Sequence, residues 1–398
     1  MSIERARGFS LFEVMIALLI ATISSVVIFQ VLSLAESRKR SVTSGSDAQV
    51  QGNLALYALS KDLYDSGWGM QGLSTTHSAA MGCPLSDRGI VQTFIPLYQA
   101  YAIDGGNDAL GRPYPDSLMI MESSSGTLSG PVQYQVGTGT TKTTQFSVAG
   151  FSVGDFILAV DTPIAPTPTR CAMAQLTAVP ATPGSTLTHT DMTAAGLGAN
   201  GVVIDFGASP RIGLWSVAGA GFLQYAPSSF AVAAPATLQA SFPVGTSVAD
   251  GIVNMQIQLG CDNNNDGVIN DATEWFDPGV AGGCAFYANS TLYSQLLAVR
   301  IILLARSAEL ESAGVYYCGA APANNTPGAS VATIAEANRP ALPVTIPGTP
   351  LIGTQFHIGD NVSVLNPDTP MGTCNTGNPA DWHNYRYRTY VTTVSLHQ

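Results

Sequence analysis

Two periods of apolar residues divide the chain. From Val14 to Leu34 the sequence reads VMIALLIATISSVVIFQVLSL without a charge. As a helix rising about 1.5 Å per residue, that stretch is long enough to cross a hydrocarbon layer of about 30 Å. Beyond it, Leu54, Tyr57, Ala58, Lys61, Leu63 and Tyr64 keep a helical spacing up to Gly67-Trp68-Gly69, whose glycines should end the element. The pattern predicts one helix over 9–66, about 87 Å long if unbroken. Its first part suits a membrane or an apolar core, and its second part would lie beneath a folded head.

After Gly69 the helical period disappears. Short apolar runs between turn residues predict strands at 117–121, 156–160, 202–206, 212–217, 252–259 and 385–396. Met255, Ile257 and Leu259 alternate with Asn254, Gln256 and Gln258, the pattern of a half-buried antiparallel strand with one face on a core. The run LLAVRIILLA at 296–305 suits a buried helix or a strand, and Val299, Ile301 and Leu303 favour strand. Stretches rich in proline or small residues at 161–169, 227–243 and 320–353 read as surface loops or insertions. The predicted fold class is α+β, a long N-terminal helix packed on an antiparallel β-sheet with large loop insertions.

Composition narrows where such a head can work. With 46% hydrophobic residues, 398 residues can bury a sizeable core. Charged residues make up only 11%, against roughly a quarter in ordinary soluble domains, which suits a surface outside the cytoplasm. A net charge of -11 with 16 Lys and Arg leaves no basic stripe for a nucleic-acid backbone. Cys83, Cys171, Cys261, Cys284, Cys318 and Cys374 contain no CxxC pair, so disulfides in an oxidising compartment fit better than zinc or thiol redox chemistry. Six cysteines allow fifteen connectivities. Closeness in sequence favours Cys261 with Cys284, then Cys318 with Cys374 and Cys83 with Cys171.

The N-terminus holds the sharpest signal. The basic segment MSIERARG is followed at once by FSLFEVMIALLI, an arrangement unsuited to removing the apolar helix as a secretory signal. Glu13 stands at the head of the apolar run, where a carboxylate is costly unless it has a partner. The bland alternative places Glu13 in a headgroup layer without a role. Arg5 and Arg7 are matched by Arg38, Lys39 and Arg40, so flanking charge does not set orientation.

The string from Arg7 to Ala17, RGFSLFEVMIA, resembles the class III signal of type IV prepilins and of the related secretion pseudopilins. The resemblance implies a cytoplasmic leader at 1–8, cleavage after Gly8 by a prepilin peptidase, and methylation of the new N-terminus at Phe9. It also implies that Glu13 pairs with the N-terminal amine of a neighbouring subunit, which offsets the cost of desolvating the carboxylate. The chain then divides into the leader 1–8, a pilin helix 9–66 with 14–34 membrane-spanning, and an exported, disulfide-containing head 67–398.

Later segments are similar to PilW-type minor pilins: LALYALSKDLYDSGWG at 54–69, the segment 101–121, the strand entering Cys261-Asp262, AVRIILLARS, and the closing YRYRTYVTTVSL. Membership of that family implies a subunit that starts or caps a type IV pilus. Its implied partners are other minor and major pilins, the prepilin peptidase and the inner-membrane assembly machinery. Its implied location is the bacterial inner membrane, with a periplasmic head, before assembly and an extracellular filament after it. A type II secretion minor pseudopilin shares the same signal. A pilus-tip adhesin that binds a surface or glycan through the unmatched insertions is a further alternative.

One loop fits the opening of a calcium site. In DNNNDGVIN at 262–270, Asp262, Asn264 and Asp266 offer side-chain oxygens at alternate positions, Val268 its carbonyl, and Asn270 a direct or water-mediated contact. An EF-hand expects Glu where Thr273 stands; Glu274 is one residue late and Asp271 is another candidate closing acid. The alternative is an Asn/Asp/Gly turn that bonds its own backbone, closed by Cys261 and Cys284.

Catalysis finds no comparable signature. His77, His189, His357, His383 and His397 lack metal-hydrolase spacing, and no nucleophile elbow or phosphate loop is present. Glu309 and Glu311 read as solvated charge, and Trp382, Tyr385, Tyr387 and Tyr390 as strand alternation rather than a binding platform. The chain is not expected to be an enzyme.

Overall fold

The structure is a computed structural model that describes residues 11–67, 84–87, 90–96, 98–106, 113–125, 131–145, 148–161, 171–179, 186–192, 197, 200–218, 221–228, 242, 244–270, 272–278, 295–307 and 387–396. The predicted helix is present as one unbroken element, α1, Leu11–Asp65. Seventeen strands follow among the described residues. The first nine are β1 Pro84–Asp87, β2 Ile90–Pro96, β3 Ala100–Ile103, β4 Ser117–Glu122, β5 Val132–Gly137, β6 Thr141–Thr144, β7 Phe156–Asp161, β8 Cys171–Ala178 and β9 Thr186–His189. The rest are β10 Gly201–Gly207, β11 Arg211–Ala218, β12 Phe222–Pro227, β13 Thr246–Asp250, β14 Ile252–Cys261, β15 Trp275–Phe276, β16 Leu296–Arg306 and β17 Tyr387–Ser395. Among the described residues every run read as a strand from its pattern holds a strand, including 296–305; residues 385 and 386 of the last run lie outside the described residues.

The strands form three sheets. A sheet in the order β15-β14-β16-β17 is antiparallel throughout, and the second half of α1 packs on β16 and β17. A five-stranded sheet runs β13-β12-β11-β4-β3. The third has eight strands, in which β8, β7, β10, β5, β6 and β9 close on themselves because β9 also pairs with β8. Those six make a small barrel, with β1 added to β8 in parallel and β2 beyond it. The sequence reading placed strands in this region without foreseeing closure, which depends on pairings between segments far apart in the chain.

Strand alternation explains how the barrel joins the head. Tyr134, Ile157, Ala159, Ala174, Leu187 and Val203 fill its interior. Their neighbours Leu158, Val160, Met173, Val202 and Ile204 point outward into the main core, alongside Leu59 and Leu63 of the helix. Successive strand residues face opposite sides, so one wall serves two cores.

The helix reaches that core through a stripe of Ala48, Ala55, Leu59, Asp62 and Leu63, whereas Leu54, Tyr57 and Tyr64 face outward. At Gly52 the approach is close: a Cβ there would lie 2.3 Å from the ring of Tyr390, whose hydroxyl donates to the Ala48 carbonyl at 3.2 Å. Tyr390 therefore holds the helix on the last strand. Asp62 makes a second fastening. Its carboxylate accepts the Trp215 indole N–H at 3.2 Å and pairs at 3.3 Å with Arg211, which also pairs with Glu122 at 2.7 Å. The helix ends at Asp65, and Gly67 just beyond it turns the chain away, with φ 73° and its N–H donated to the Met121 carbonyl.

One expectation is corrected. β14 is buried on both faces rather than half-buried. Asn254 and Gln256 do not face water; they donate to the carbonyls of Pro113 and Tyr114 at 3.0 and 2.8 Å, and Gln258 accepts from Arg300 at 3.2 Å. A polar face can be buried once each group has a partner. The segment entering β4 supplies the partners of Asn254 and Gln256, and β16 that of Gln258.

Candidate functional site

Two regions could carry function, the start of α1 and the loop after β14. Leu11–Glu36 is long and apolar enough to cross a membrane, and none of its most apolar stretch is buried against the head. Thr22 and Ser25 satisfy their hydroxyls inside the helix, on the carbonyls of Leu19 and Ala21 at 2.9 and 2.8 Å. Such back-bonding lets these residues sit in an apolar setting. Glu13 lies in the first turn, where the positive end of the helix dipole favours a carboxylate. Gly8 and Phe9 lie outside the described residues.

The loop after β14 gathers the acids that the spacing singled out. Ligand atoms of Asp262, Asp266 and Glu274 all lie within 4.8 Å of one another. Asp262 is buried, and its two oxygens accept the N–H groups of Asp266 at 3.0 Å and Gly267 at 2.8 Å. Asn264 accepts the same Asp266 N–H at 2.8 Å and donates to the Asp266 carboxylate at 3.2 Å. Asn270 donates its side chain to Asp266 at 3.0 Å and its N–H to Glu274 at 2.9 Å. The Val268 N–H, above all, holds the Asp266 carboxyl below the usual range, with the amides of Asn270 and Asn264 adding to it. Asn265 at φ 59° and Gly267 at φ 85° let the loop fold back on itself.

The closing acid is Glu274. A short 3-10 helix at Ala272–Glu274 turns its buried side chain toward Asp262, while Thr273 is exposed. Asp271 lies outside the described residues. The donor set is oxygen only, which suits a hard divalent cation, and three carboxylates would supply more than its charge. The same bonds also describe a turn that satisfies itself. The loop can hold a cation by chemistry and by spacing.

Sequence reasoning missed a neighbouring set of acids that only the fold assembles. Asp116 is fully buried at the start of β4, and its carboxylate accepts the N–H groups of Gly105 at 2.9 Å and Ile257 at 2.8 Å. Burial pushes this carboxyl well up, those two bonds oppose it, and nearby Asp277 and Asp104 raise it further. Asp277 follows β15 directly after the loop. Burial, with Asp104 nearby, pushes it up to about 6.

Other candidates resolve as follows. His189 is buried in the barrel, with Nδ1 bonded to the Thr190 carbonyl at 2.7 Å, and burial lowers its pKa. Tyr387 and Tyr390 lie on β17, and Tyr390 serves the helix contact. Cys171 and Cys261 are both disulfide-bonded. Cys83, Cys284, Cys318 and Cys374, the remaining histidines, Glu309, Glu311, Trp382, Tyr385 and residues 320–353 lie outside the described residues.

Residues 4–29 match the family model described as Prokaryotic N-terminal methylation motif, the class III signal typical of type IV pilins and pseudopilins. No curated protein and no solved structure matches the chain.

Proposed function

We propose that this chain is a minor pilin of the PilW type, an assembly subunit that starts or caps a type IV pilus. The observation that carries the reading is the methylation motif over residues 4–29, with Glu13 opening a long apolar helix that the head leaves uncovered. On this reading a prepilin peptidase cuts after Gly8 and Phe9 becomes the N-methylated first residue. The Glu13 carboxylate then meets the N-terminal amine of an adjacent subunit inside an apolar bundle, where each charge lowers the desolvation cost of the other. The head, fastened to the helix by Asp62 and Tyr390, stays outside the membrane and afterwards on the filament. Mass spectrometry of the mature N-terminus tests this. N-methylated Phe9 is the expected result; retention of MSIERARG in filament-forming cells, or cleavage beyond the apolar helix, overturns it.

The reading includes calcium at Asp262, Asn264, Asp266, Asn270 and Glu274, with the Val268 carbonyl as a further oxygen. A bound cation would offset most of the charge of three carboxylates and tie the end of β14 to the 3-10 turn. Calcium at a hundred times its Kd should stabilise the head by about 2.7 kcal/mol. Asp262→Asn should abolish that increment. Thermal unfolding that is the same in calcium and in chelator removes this part of the proposal and leaves the filament role standing.

A further inference from the structure

The six-stranded barrel encloses two basic side chains on adjacent strands. Lys142 of β6 lies opposite Leu187 of β9, which fills the interior, and His189 is on the same face of β9 as Leu187. The two are 1% and 3% exposed. β9 is four residues long and alone closes the barrel, through three residue pairs with β6 and two with β8. We propose that this arrangement makes the barrel an acid-sensitive closure: when His189 takes a proton, β9 leaves its neighbours and the barrel opens into a sheet.

The tautomer of His189 is fixed by its neighbour. Nδ1 lies 2.7 Å from the Thr190 carbonyl, which can only accept, so Nδ1 carries the ring proton and Nε2 is the atom that titrates. Nε2 is buried and has no hydrogen-bond partner among the described residues. A proton there creates a charge that water cannot reach. The charges that act on the ring are Lys142 and Asp191. Lys142 opposes the proton. Asp191 favours it but is exposed, so water screens its effect. The Thr141 carbonyl also favours the charged ring, yet it already receives the Lys142 ammonium at 3.4 Å. β5, β6 and β8 contain no acid, and Tyr134 of β5, whose ring lies 5.3 Å from the Lys142 ammonium, is held neutral by burial. Burial, above all, therefore lowers the pKa of His189 from 6.5. Once β9 is released its ring meets water and titrates near the ordinary value, so the open form binds the proton more tightly than the closed one. Closure weakens as pH falls from about 6.5 toward the lowered value.

The backbone bonds that hold β9 at this end give the readout. The His189 N–H is donated to the Thr140 carbonyl at 3.0 Å and the Met192 N–H to the Gly139 carbonyl at 2.7 Å. Hydrogen exchange read by mass spectrometry, on the full chain in zwitterionic dodecylphosphocholine micelles, follows them between about pH 7.5 and 5. After correction for intrinsic rates, exchange of the segment 186–192 should rise by up to about tenfold per pH unit below about pH 6.5, while β14 and β16 keep their protection. His189→Gln cannot take the charge and should remove the rise. If that variant does not fold, NMR of the native chain with 13C-labelled histidine replaces it, and the His189 ring should gain its proton over the same pH range in which β9 loses protection. A ring that titrates at its ordinary value inside a closed barrel overturns the proposal. So does protection of 186–192 that is independent of pH or changes equally in His189→Gln, or loss of β16 protection in step with that of β9.

Discussion

The fastening of α1 to the head depends on Asp62, and two substitutions there separate its parts. Trp215 is only 3% exposed, so its indole N–H, donated to Asp62 at 3.2 Å, has no route to water. Asp62→Ala strips that donor of its acceptor, a loss of about 1–3 kcal/mol for a buried unsatisfied group. The ion pair adds less. The Arg211 side chain is 45% exposed and keeps Glu122, so the lost pairing with Asp62 is worth under about 1 kcal/mol. Asp62→Ala should therefore cost about 1–4 kcal/mol in all, most of it from the indole. Asp62→Asn keeps an oxygen for the indole and should cost at most about 1 kcal/mol. Urea unfolding of the full chain in zwitterionic micelles, followed by tryptophan fluorescence, measures both. Adding Trp215→Phe completes a double-mutant cycle in which Asp62→Ala should lose most of its effect. If Asn proves as damaging as Ala, or if Asp62→Ala costs the same when Trp215→Phe is already in place, the indole bond is not the fastening.

Three further outcomes follow from other parts of the head. Gly67→Ala places a methyl group 2.1 Å from Gln99 Oε1 at φ 73°, whereas at Gly106, φ 74°, a Cβ meets nothing within 4 Å; thermal melts should show the first losing more stability than the second, which loses about 1 kcal/mol. Asp277 is raised from 3.8 to about 6, so the folded state holds its proton more tightly and stability falls as pH climbs between those values. Asp277→Asn should flatten that decline and raise Tm at neutral pH; a variant with an unchanged pH profile refutes the assignment. Lys142 is buried in the barrel, its ammonium on the Thr138 carbonyl at 2.6 Å, and burial lowers it from 10.5 to about 8. The folded state releases that proton first, so stability should rise between about pH 8 and 10.5 in the native chain and not in Lys142→Met.

Much of the helix and the strands was legible in the chain because their signals are local. Apolar spacing from Val14 to Leu34, the glycine at 67 and the β-branched run at 296–305 each state a backbone preference that neighbours along the sequence can satisfy. Short strands with weak patterns were not legible. Thr141–Thr144 and Thr186–His189 have little periodic contrast, and they become strands because each finds an edge to pair with. The alternation in β14 misled for a related reason: Asn254 and Gln256 look solvent-facing until the carbonyls of Pro113 and Tyr114 arrive to accept their hydrogen bonds.

The acids show the same division. Asp262, Asn264, Asp266 and Asn270 sit close along the chain, so their convergence on one loop could be read directly, and the 3-10 turn is what brings Glu274 up to them. Asp277 is far in sequence from Asp104 and Asp116 and meets them because β4, β14 and β15 pack together. By itself the sequence determined the N-terminal apolar helix, its placement of Glu13, the methylation motif and most strands, since each depends on residues within a few turns or one strand length. The barrel, the doubly buried β14 and the Asp62 fastening were decided by tertiary structure, because they exist only where distant segments exclude water from one another.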